Sequence, residues 1–268
     1  MSKSEYVLGE SAGETARLAA QAQRDAIEPR LRWAGLREGL TVVDAGCGPG
    51  ETTRAIGKMV GPSGRVTGFD ISPVRVEAAK AVPAAEGSAP LQFLQGDVFK
   101  PPLPEGEADF VFTQYVLEHI PNPQEAVLAL TKLLKPGGKL LMVDVDGVGG
   151  INYPLPPILE EGIPVLLKTL GKTGFDAFVG RKLYSFAVRT GLKDVSAMLF
   201  PAVLAAGPAP MEEQLGWKQR LEAIAPLSIP VFGTKEKWEE FVAAYLSMLA
   251  DPTVFKYTLG MAVQGVRP

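Results

Sequence analysis

The chain has 268 residues, of which 27 are Lys or Arg and 30 are Asp or Glu, giving a formal net charge of -3. This length favours one large α/β domain with insertions, spanning residues 1–268, over two small domains. No segment concentrates basic residues in a stripe, so the charge argues against a nucleic-acid partner. Cys47 is the single cysteine, which excludes an intrachain disulfide and a cysteine-cluster metal site.

The cellular location is predicted from the same features. The N-terminal sequence MSKSEYVLGE has no apolar signal core, and no stretch is long and apolar enough to cross a bilayer. One cysteine in a chain of this length is typical of a reducing compartment. We therefore expect a cytoplasmic protein without a membrane span.

The N-terminal region is predicted to be helical. Ser11 and Glu14 have the spacing of a capping box, and the following run to about residue 34 is rich in Ala, Leu, Arg and Gln. We expect residues 1–35 to form a helical lid, with Arg17 and Gln21 on one face of the helix.

Strands and helices then alternate. Apolar runs bounded by turn residues predict strands at 40–46, 65–70, 91–95, 108–113 and 138–145. Helical spacing marks 51–60, 73–81 and 123–134, the last stopped by Lys135-Pro136-Gly137-Gly138. A strand-like tail near residue 195 and a final strand after 253 bring the total to seven. This order predicts an α/β fold with a doubly wound, mostly parallel seven-stranded sheet.

Two regions break this regularity. Residues 147–180 interleave proline with Leu, Ile, Val and Phe, and residues 205–250 have helical spacing. We expect both to be lid insertions that cap the ligand-bearing edge of a core formed by residues 38–146. No basic residue occurs in YPLPPILEEGIPVLL, residues 153–167, which favours a neutral, hydrophobic ligand because a buried unpaired charge is costly.

A glycine-rich turn follows the first predicted strand in VVDAGCGPGETT, residues 42–53. Gly46, Gly48 and Gly50 allow a ligand to approach the backbone, as is typical at the carboxyl ends of strands in such sheets. Glu51 stands where a dinucleotide-binding motif has its third glycine. Asp44 and Glu51 would repel a phosphate, so the turn favours a cationic or zwitterionic ligand.

Carboxylates end the next two predicted strands. Asp70 lies 20 residues after Gly50, where a carboxylate accepts hydrogen bonds from both hydroxyls of a ribose. Asp97 could accept a hydrogen bond from an adenine amino group, or could simply cap a turn. Together with the apolar Val98, these residues predict a site for an adenosine that carries a positive, amino-acid-like tail.

These motifs resemble those of the class I S-adenosylmethionine-dependent methyltransferases. VVDAGCGPG is similar to the first motif of small-molecule members related to ubiquinone and sterol methyltransferases, and VTGFDIS is similar to their ribose-binding motif. LQGDVFKPPLPEGEADFVFTQYVLEHIPNP and LLKPGGKLLMVDVD are similar to later segments of the same domain, and the opening YVLGESAGETARLAAQ resembles the lid of natural-product members. The resemblance implies a Rossmann-like fold and S-adenosylmethionine as cofactor.

The resemblance also implies roles for individual residues. Gly46, Gly48 and Gly50 would pack the methionine part, Asp70 would hold the ribose, and Gln114 would back the reacting sulfonium. Cys47 would be a small apolar filler of the turn. The complete predicted cofactor-binding set is Arg17, Asp44, Gly46, Cys47, Gly48, Gly50, Asp70, Ile71, Gly96, Asp97, Val98 and Gln114.

Residues for catalysis and acceptor binding are predicted with alternatives. His119 is the single histidine and follows the fourth strand, where it would act as a general base or brace the loop. Asp144 and Asp146 share one face of the fifth strand, where they would orient a substrate or, as the alternative, hold a divalent metal. Asp146 is the second candidate catalytic residue. Two carboxylates without a third ligand are a weak metal signal, so no metal site is predicted. The predicted acceptor-binding residues are Tyr6, Tyr153 and Phe175.

The predicted activity is methyl transfer to an oxygen, nitrogen or carbon atom of a small, largely hydrophobic metabolite. Alignment of the acceptor in a water-poor cleft would supply most of the catalysis, with a base needed only if the acceptor holds its proton. The alternative is a protein of the same fold that acts as a cyclase or a non-catalytic partner subunit. A nicotinamide-dependent oxidoreductase is disfavoured by Glu51. The oligomeric state is left open.

Overall fold

The computed structural model describes residues 26–147 and 152–268, in which eight strands form one sheet with helices on both faces. The strands are β1 (Thr41–Ala45), β2 (Arg65–Asp70), β3 (Leu91–Gln95), β4 (Ala108–Gln114), β5 (Leu134–Asp146), β6 (Asn152–Tyr153), β7 (Lys193–Ala206) and β8 (Phe255–Val266). The helices are α1 (Glu28–Trp33), α2 (Glu51–Val60), α3 (Pro73–Ala81), α4 (Pro123–Lys132), α5 (Pro157–Gly171), α6 (Leu183–Arg189), α7 (Met211–Phe232) and α8 (Lys235–Ala250).

The strand order is β3-β2-β1-β4-β5-β8-β6, and β7 pairs with β8. Strands β1 to β5 are parallel, whereas β8 is antiparallel to β5, β6 and β7. The predicted α/β fold with a doubly wound, mostly parallel sheet is confirmed. All seven predicted strands are present, and the two-residue β6 is an eighth.

The strand order reverses at β1, which has β2 on one side and β4 on the other. Side chains of β1 alternate between two cores: Val42 packs with α1 and α2, and Val43 packs on the face that carries α4 and α6. Because both neighbours are parallel to β1, their carboxyl ends meet at one edge. Ligands of doubly wound sheets bind in the crevice at such a reversal.

The predicted N-terminal helix differs from the structure where it is described. A break at residues 26–27 separates α1, which starts at Glu28, from the preceding sequence. Pro29 lies in the first turn, where its missing N–H costs no helical hydrogen bond. Leu31 and Ala34 are fully buried in the core, so this part of the predicted lid of residues 1–35 belongs to the core. Ser11 and Glu14 lie outside the described residues.

The end of the predicted helix 123–134 also shifts. Helix α4 ends at Lys132, and the Lys-Pro-Gly-Gly segment is the start of β5 instead of a connection before it. The register of β4 and β5 shifts at this point, between Ala108 and Phe110. A Cβ at Gly138 would lie 2.9 to 3.2 Å from three backbone carbonyl oxygens, so the close backbone contact in this bulge requires glycine.

Helices α5, α7 and α8 form a separate core cluster above the sheet. Its centre is Phe241, which is fully buried and packs against Trp238 and Phe232 with ring centroids 5.4 and 4.9 Å apart. Gly162 lets α5 approach this ring, since a Cβ there would lie 2.6 Å from Phe241 Cδ2. The predicted insertion 205–250 therefore starts at the end of β7 and consists mainly of the hairpin α7–α8.

Candidate functional site

The glycine turn after β1 has the open backbone that its sequence predicts. Gly46, Gly48 and Gly50 have φ angles of 76°, 52° and 82°, in the left-handed region that favours glycine. A Cβ at Gly46 would lie 2.3 Å from Val116 Cγ2, and one at Gly50 would lie 2.9 Å from the Phe93 ring. A Cβ at Gly48 would meet nothing within 4 Å. The turn is thus packed at both ends and open in the middle.

Asp70 connects this turn to the end of β2. One carboxylate oxygen accepts a hydrogen bond from the Gly48 N–H at 2.9 Å, and the other accepts one from the Ser72 N–H at 2.9 Å. Arg75 Nη1 lies 3.9 Å away, and both side chains are nearly buried. A carboxylate with two oxygens has further lone pairs for ligand hydroxyls. Sequence analysis did not predict Arg75 as a site residue. The signal that could have found it is its position in the first turn of α3, shortly after Asp70.

Asp44 is engaged inside the protein. It is buried, and its carboxyl group accepts a hydrogen bond from Thr53 Oγ1 at 2.6 Å. Burial raises the pKa of Asp44 from 3.8 to about 7, with the Thr53 bond opposing the shift and the Asp70 charge adding to it. Asp44 therefore holds Thr53 in the first turn of α2. Its effect on the glycine turn is indirect and passes through this hydrogen bond.

Cys47 is a packing residue in this structure. It is buried in a small cluster with Val76, Ala79 and Phe93. Burial, followed by the charges of Asp44 and Asp70, raises the pKa of the Cys47 thiol far above its ordinary value. The neutral thiol fits the predicted role of a small apolar filler.

The loop after β3 places Asp97 beside Asp70. Asp70 pairs with Gln95 across β2 and β3, two residues before Asp97. Asp97 Oδ1 accepts a hydrogen bond from the Phe99 N–H at 2.9 Å, so this carboxylate caps its own turn. The neighbouring predicted residues Ile71 and Val98 are half-exposed and buried, respectively.

Gly96 has the tightest surroundings in that loop. A Cβ there would lie 2.4 Å from Pro102 Cδ, so glycine is required for the loop to close against the following segment. The close contact holds Asp97 at the edge of the sheet.

The chain leaves β4 through a strained residue. Gln114 ends the strand half-buried, and Tyr115 has a φ of 53°, in a region that bulky residues rarely adopt. Tyr115 N–H donates to the carbonyl of Val143 on β5 at 3.0 Å. Such strain often marks a functional loop. No sequence signal predicted it.

Asp144 anchors the short 3-10 turn Leu117–His119 that follows. One carboxylate oxygen accepts hydrogen bonds from the N–H groups of Leu117 at 3.0 Å and Glu118 at 3.2 Å. Asp144 is fully buried, and this burial raises its pKa to about 7, while these backbone bonds lower it and Asp176 raises it. Sequence analysis placed Asp144 on the acceptor side, whereas the structure shows it bracing this loop.

His119 lies at the end of that turn, against a second segment. Its Nε2 is 3.4 Å from Glu118 Oε1, and its ring centroid is 5.6 Å from that of Phe175. The Asp176 N–H donates to the Glu118 carbonyl at 2.7 Å. The fold thus brings together two predicted site residues that are 56 positions apart in the sequence, His119 and Phe175.

Asp146 is paired with Arg181, which was not a predicted site residue. Arg181 donates from Nε at 2.7 Å, from Nη2 at 3.2 Å and from its backbone N–H at 3.3 Å. The side-chain bonds form a bidentate ion pair. Its pairing with Asp146 raises the pKa of Arg181. Asp146 must be released from this pair before it can accept a proton.

A cavity of about 1210 Å³ lies beside these residues, beyond the carboxyl end of β5. Asp146 and Phe175 line it, together with charged side chains of α5 and of the segment before α6. Its apolar lining consists of Ile120, Pro121, Pro123, Leu155, Ile163, Pro164, Leu167, Phe175, Ala177, Phe178, Phe186 and Leu259. The glycine turn, Asp70 and His119 do not line it, so the cavity does not include the predicted cofactor site.

Tyr153 does not line this cavity. Its side chain is 78% exposed, because β6 pairs with the outer end of β8. Tyr6 and Arg17 lie outside the described residues. Of the three predicted acceptor-binding residues, the structure places Phe175 at the cavity.

The basic residues that follow the apolar segment 153–167 are exposed, and three of them lie at the cavity. Lys168, Arg181 and Lys182 all line the cavity. Two of them are neutralised there, Arg181 by Asp146 and Lys182 by Asp176 at 2.5 Å. The sequence did not show these partners, because they come from the end of β5 and from the loop before α6.

Comparison with known proteins decides the family. Residues 36–172, about half of the chain, match the model of a methyltransferase domain. The chain belongs to the S-adenosylmethionine-dependent methyltransferases. The predicted family, enzyme class and cofactor are thereby confirmed.

Relatives of this methyltransferase match it over part of their own length. It is 30% identical over 210 residues to an uncharacterized 37.1 kDa protein in transposon TN4556 of Streptomyces fradiae, covering 78% of the chain and 59% of that relative. It is 31% identical over 132 residues to the demethylmenaquinone methyltransferase of Lactococcus lactis, covering 49% of the chain and 50% of that enzyme. The chain therefore spans little more than half the length of these relatives.

Solved structures share its fold. The YcgJ protein of Bacillus subtilis superposes with a TM-score of 0.61 at 18% sequence identity, covering 90% of this chain and 97% of that one. Among residues 26–147 and 152–268, no helix of the methyltransferase is long and apolar enough to span a membrane. The same residues contain no cluster of three or more side chains that could hold a metal ion.

The residues at the strand ends fit S-adenosylmethionine. The space above Gly48 is open, so a ligand can reach the backbone of the turn. The Asp70 carboxylate lies at the same place through its bond to the Gly48 N–H. Among the described residues, the cations near the turn already have carboxylate partners: Arg54 is bound to Glu51 at 2.9 Å, and Arg75 lies 3.9 Å from Asp70. An open turn beside a carboxylate suits a ribose and a cationic tail better than a phosphate.

Proposed function

We propose that this methyltransferase methylates an oxygen, nitrogen or carbon atom of a small, largely hydrophobic metabolite bound in the cavity beside β5. The cavity lining carries the proposal, because apolar side chains form most of it and two of its three cations are paired with carboxylates. A volume of about 1210 Å³ is large for a small-molecule site. It suits a bulky acceptor such as an aromatic or isoprenoid metabolite.

The relatives support this acceptor class. The Lactococcus lactis relative, 31% identical over 132 residues, is named for a demethylmenaquinone, and this name supports an acceptor of the same class. Two of the three basic residues at the cavity, Arg181 and Lys182, are compensated by carboxylates of the protein, which argues against a strongly anionic acceptor. Natural-product biosynthesis in the cytoplasm is the setting that we propose.

The cofactor roles follow from the geometry at the strand ends. Asp70 would accept hydrogen bonds from the ribose hydroxyls, and Asp97 with Val98 would border the adenine. Gly46, Gly48 and Gly50 would leave room for the methionine part, while Gln114 would face the sulfonium. When bound, S-adenosylmethionine supplies a methyl group that is already activated by the positive sulfur.

The protein would contribute alignment and exclusion of water. Helix α5 and the segment 174–182 cover the cavity beside β5, and we propose that this region, with α7 and α8 behind it, acts as a lid. Hydrogen exchange with and without both ligands tests the lid. Equal protection of α5 in the two states would contradict it.

A mixed metabolite panel, incubated with the enzyme and S-adenosylmethionine, tests the function. We expect a product that has gained one methyl group, with an equal amount of S-adenosylhomocysteine. Turnover confined to phosphorylated metabolites or tRNA would contradict the acceptor class. Conversion of an acceptor without S-adenosylhomocysteine would instead indicate a cyclase.

A further inference from the structure

We propose that Arg181 is a specificity-determining residue that donates hydrogen bonds to a carbonyl or phenolic oxygen of the acceptor. This inference rests on the proposed function and deepens it, because it names the oxygen group that the largely hydrophobic acceptor carries. Arg181 lies directly before α6 and lines the cavity beside β5.

The backbone brings Arg181 close to the end of β5. A Cβ at Gly180 would lie 2.6 Å from the Val145 carbonyl oxygen and 3.0 Å from Asp146 Cβ, so this close approach requires glycine. The Arg181 N–H then donates to Asp146 Oδ1 at 3.3 Å. The main chain and the side chain of Arg181 are thereby bound to the same carboxylate.

Two contacts fix the orientation of the guanidinium group. Its Nε and Nη2 donate to the two oxygens of Asp146 at 2.7 and 3.2 Å, and such a bidentate pair is geometrically specific. The Phe178 ring lies against the guanidinium group, with its centroid 4.7 Å from Cζ, where an aromatic face attracts a cation. Asp146 and Phe178 line the same cavity. The guanidinium group is therefore held in place before a ligand binds, which reduces the entropy lost on binding.

The guanidinium group keeps donors that the protein does not use. A guanidinium group carries N–H donors on Nε, Nη1 and Nη2, and the pair with Asp146 engages Nε and Nη2. Within residues 26–147 and 152–268, Nη1 has no hydrogen-bond partner. The Arg181 side chain is 60% exposed. These donors are open to an oxygen atom of a ligand in the cavity.

The charges of the lining limit the class of that oxygen. Asp146 compensates Arg181, and Asp176 compensates Lys182 at 2.5 Å. The other charged residues of the lining are Lys168, Glu125 and Glu160. Carboxylates therefore outnumber cations in the lining, which disfavours a phosphate because like charges repel. A neutral carbonyl or phenolic oxygen needs the donors of Arg181 and no net positive charge.

Arg181 supplies a direction that the apolar lining does not. Hydrophobic contacts are not directional, so they leave the orientation of a flat, apolar ligand open. In ligand sites, a small number of placed polar groups fixes this orientation. An oxygen bound to Arg181 fixes one end of the acceptor in the cavity. Alignment of the reacting atom with the methyl group depends on such a fixed point.

Two probes that differ in one group test this role. Benzophenone has a carbonyl oxygen, and in its methylene analogue a methylene group replaces that oxygen. Equilibrium dialysis with the enzyme saturated with S-adenosylhomocysteine gives both dissociation constants. We expect the ratio of the constants, methylene analogue over benzophenone, to fall about tenfold in Arg181→Leu, because a hydrogen bond from a charged donor is lost. Equal ratios in the wild type and Arg181→Leu would overturn the proposal.

Two further variants serve as controls for the ratio. Arg189→Leu removes an exposed arginine of α6 that does not line the cavity, and it should keep the wild-type ratio. Lys168→Met removes the other cation of the lining that could bind an oxygen, and it should also keep this ratio. A ratio that falls in Lys168→Met and not in Arg181→Leu would assign the oxygen to Lys168 and overturn the proposal.

Infrared spectroscopy of the wild type covers an Arg181→Leu variant that does not fold. The carbonyl stretch of benzophenone, isotopically labelled at that group, is measured in the bound state. We expect a lower wavenumber than in an apolar solvent, because hydrogen bonds donated to the oxygen weaken the C=O bond. A bound carbonyl with the wavenumber of the apolar solvent would overturn the proposal.

Further outcomes separate this inference from the proposed function. A ratio that falls in Arg181→Leu, without a methylated product from the metabolite panel, would support Arg181 as a ligand-binding residue and contradict the proposed function. A methylated acceptor without an oxygen atom, with equal kcat/KM in the wild type and Arg181→Leu, would retain the proposed function and overturn this inference. If neither probe binds to the wild type, this inference fails, and the metabolite panel decides the proposed function.

Discussion

The cofactor side and the acceptor side of this methyltransferase are built in different ways. On the cofactor side, the predicted residues that the structure describes stand at or just after the ends of β1 to β4, within a few positions of a turn. On the acceptor side, the cavity is lined by residues between 120 and 259 that meet only through packing. Short motifs therefore describe the first side, whereas long-range contacts create the second.

The two sides also use charge differently. Asp70 and Asp44 are held by N–H and O–H donors within the cofactor side. On the acceptor side, Asp146 and Asp176 pair with cations from the segment before α6. Substitutions that damage the structure of one side should therefore leave the structure of the other side largely unchanged, and the following variants test this independence.

The largest effect is expected from the helical cluster on the acceptor side. Phe241→Ala removes a fully buried ring from the contact of α5 with α8, and we expect the free energy of unfolding to fall by about 3 to 5 kcal/mol. Urea unfolding measures this change. Calorimetry should show unchanged cofactor affinity in the folded variant, and a large loss of affinity would show that the two sides are coupled.

A pair of glycine variants tests the packing of the cofactor turn. Gly46→Ala places a Cβ 2.3 Å from Val116 Cγ2, at a residue with a left-handed φ. Gly48→Ala also places a Cβ at a left-handed φ, but no other atom lies within 4 Å of it. We expect losses of stability of about 3 and about 1 kcal/mol, respectively. Gly48→Ala should nevertheless weaken cofactor binding, because its methyl group enters the open space. Equal stabilities in the pair would contradict the clash.

Replacing the ribose-binding candidate should act on affinity. We expect Asp70→Asn to weaken binding of S-adenosylmethionine by about 1.5 to 3 kcal/mol, because charge-assisted hydrogen bonds are lost. Isothermal titration with S-adenosylmethionine and with NAD measures it. Asp109→Asn, whose carboxylate binds Thr41 N–H and Lys135 on the opposite edge of the sheet, is the control. An unchanged dissociation constant for folded Asp70→Asn would refute the ribose role.

The last comparison concerns the pH dependence of the free energy of unfolding. Burial raises the pKa of Asp44 from 3.8 to about 7, so the folded protein keeps a proton that the unfolded chain loses. The stabilising contribution is complete below about pH 4 and is lost as pH rises to 7, on the order of 1 kcal/mol per pH unit. Asp44→Asn should flatten this part of the unfolding free energy measured against pH. If the difference in unfolding free energy between the wild type and Asp44→Asn is constant from pH 4 to 7, the raised pKa of Asp44 is contradicted.

The pH dependence of stability expected from Asp109 is opposite in sign to that expected from Asp44. Partial burial raises its pKa, but hydrogen bonds from Lys135 and the Thr41 N–H outweigh this and lower it overall. Its contribution is therefore present above the unfolded pKa and lost as pH falls through the folded value. Asp109→Asn should therefore lower the free energy of unfolding above about pH 4 and leave it little changed at the acid end.

Much of the core could be predicted because its signals are local. The boundaries of α2 and α3 at residues 51–60 and 73–81 match the prediction, since turn residues and apolar spacing mark each end. The prediction failed where a distant partner decides: β5 starts at Leu134, four residues before the predicted strand, because it pairs there with Ala108 of β4. Helix α5 forms across Pro164 because Gly162 packs against Phe241.

By itself, the sequence determined the alternation of strands and helices, the open turn at Gly46 to Gly50 and the carboxylates at the ends of β2 and β3. Turn chemistry and strand-end position depend on neighbouring residues, which a sequence displays directly. Tertiary structure alone decided that Asp144 braces the turn at Leu117–His119, that Arg181 pairs with Asp146, and that His119 lies beside Phe175. These contacts join residues that are 27 to 56 positions apart, and no local pattern records which distant group will neutralise a charge or face a ring.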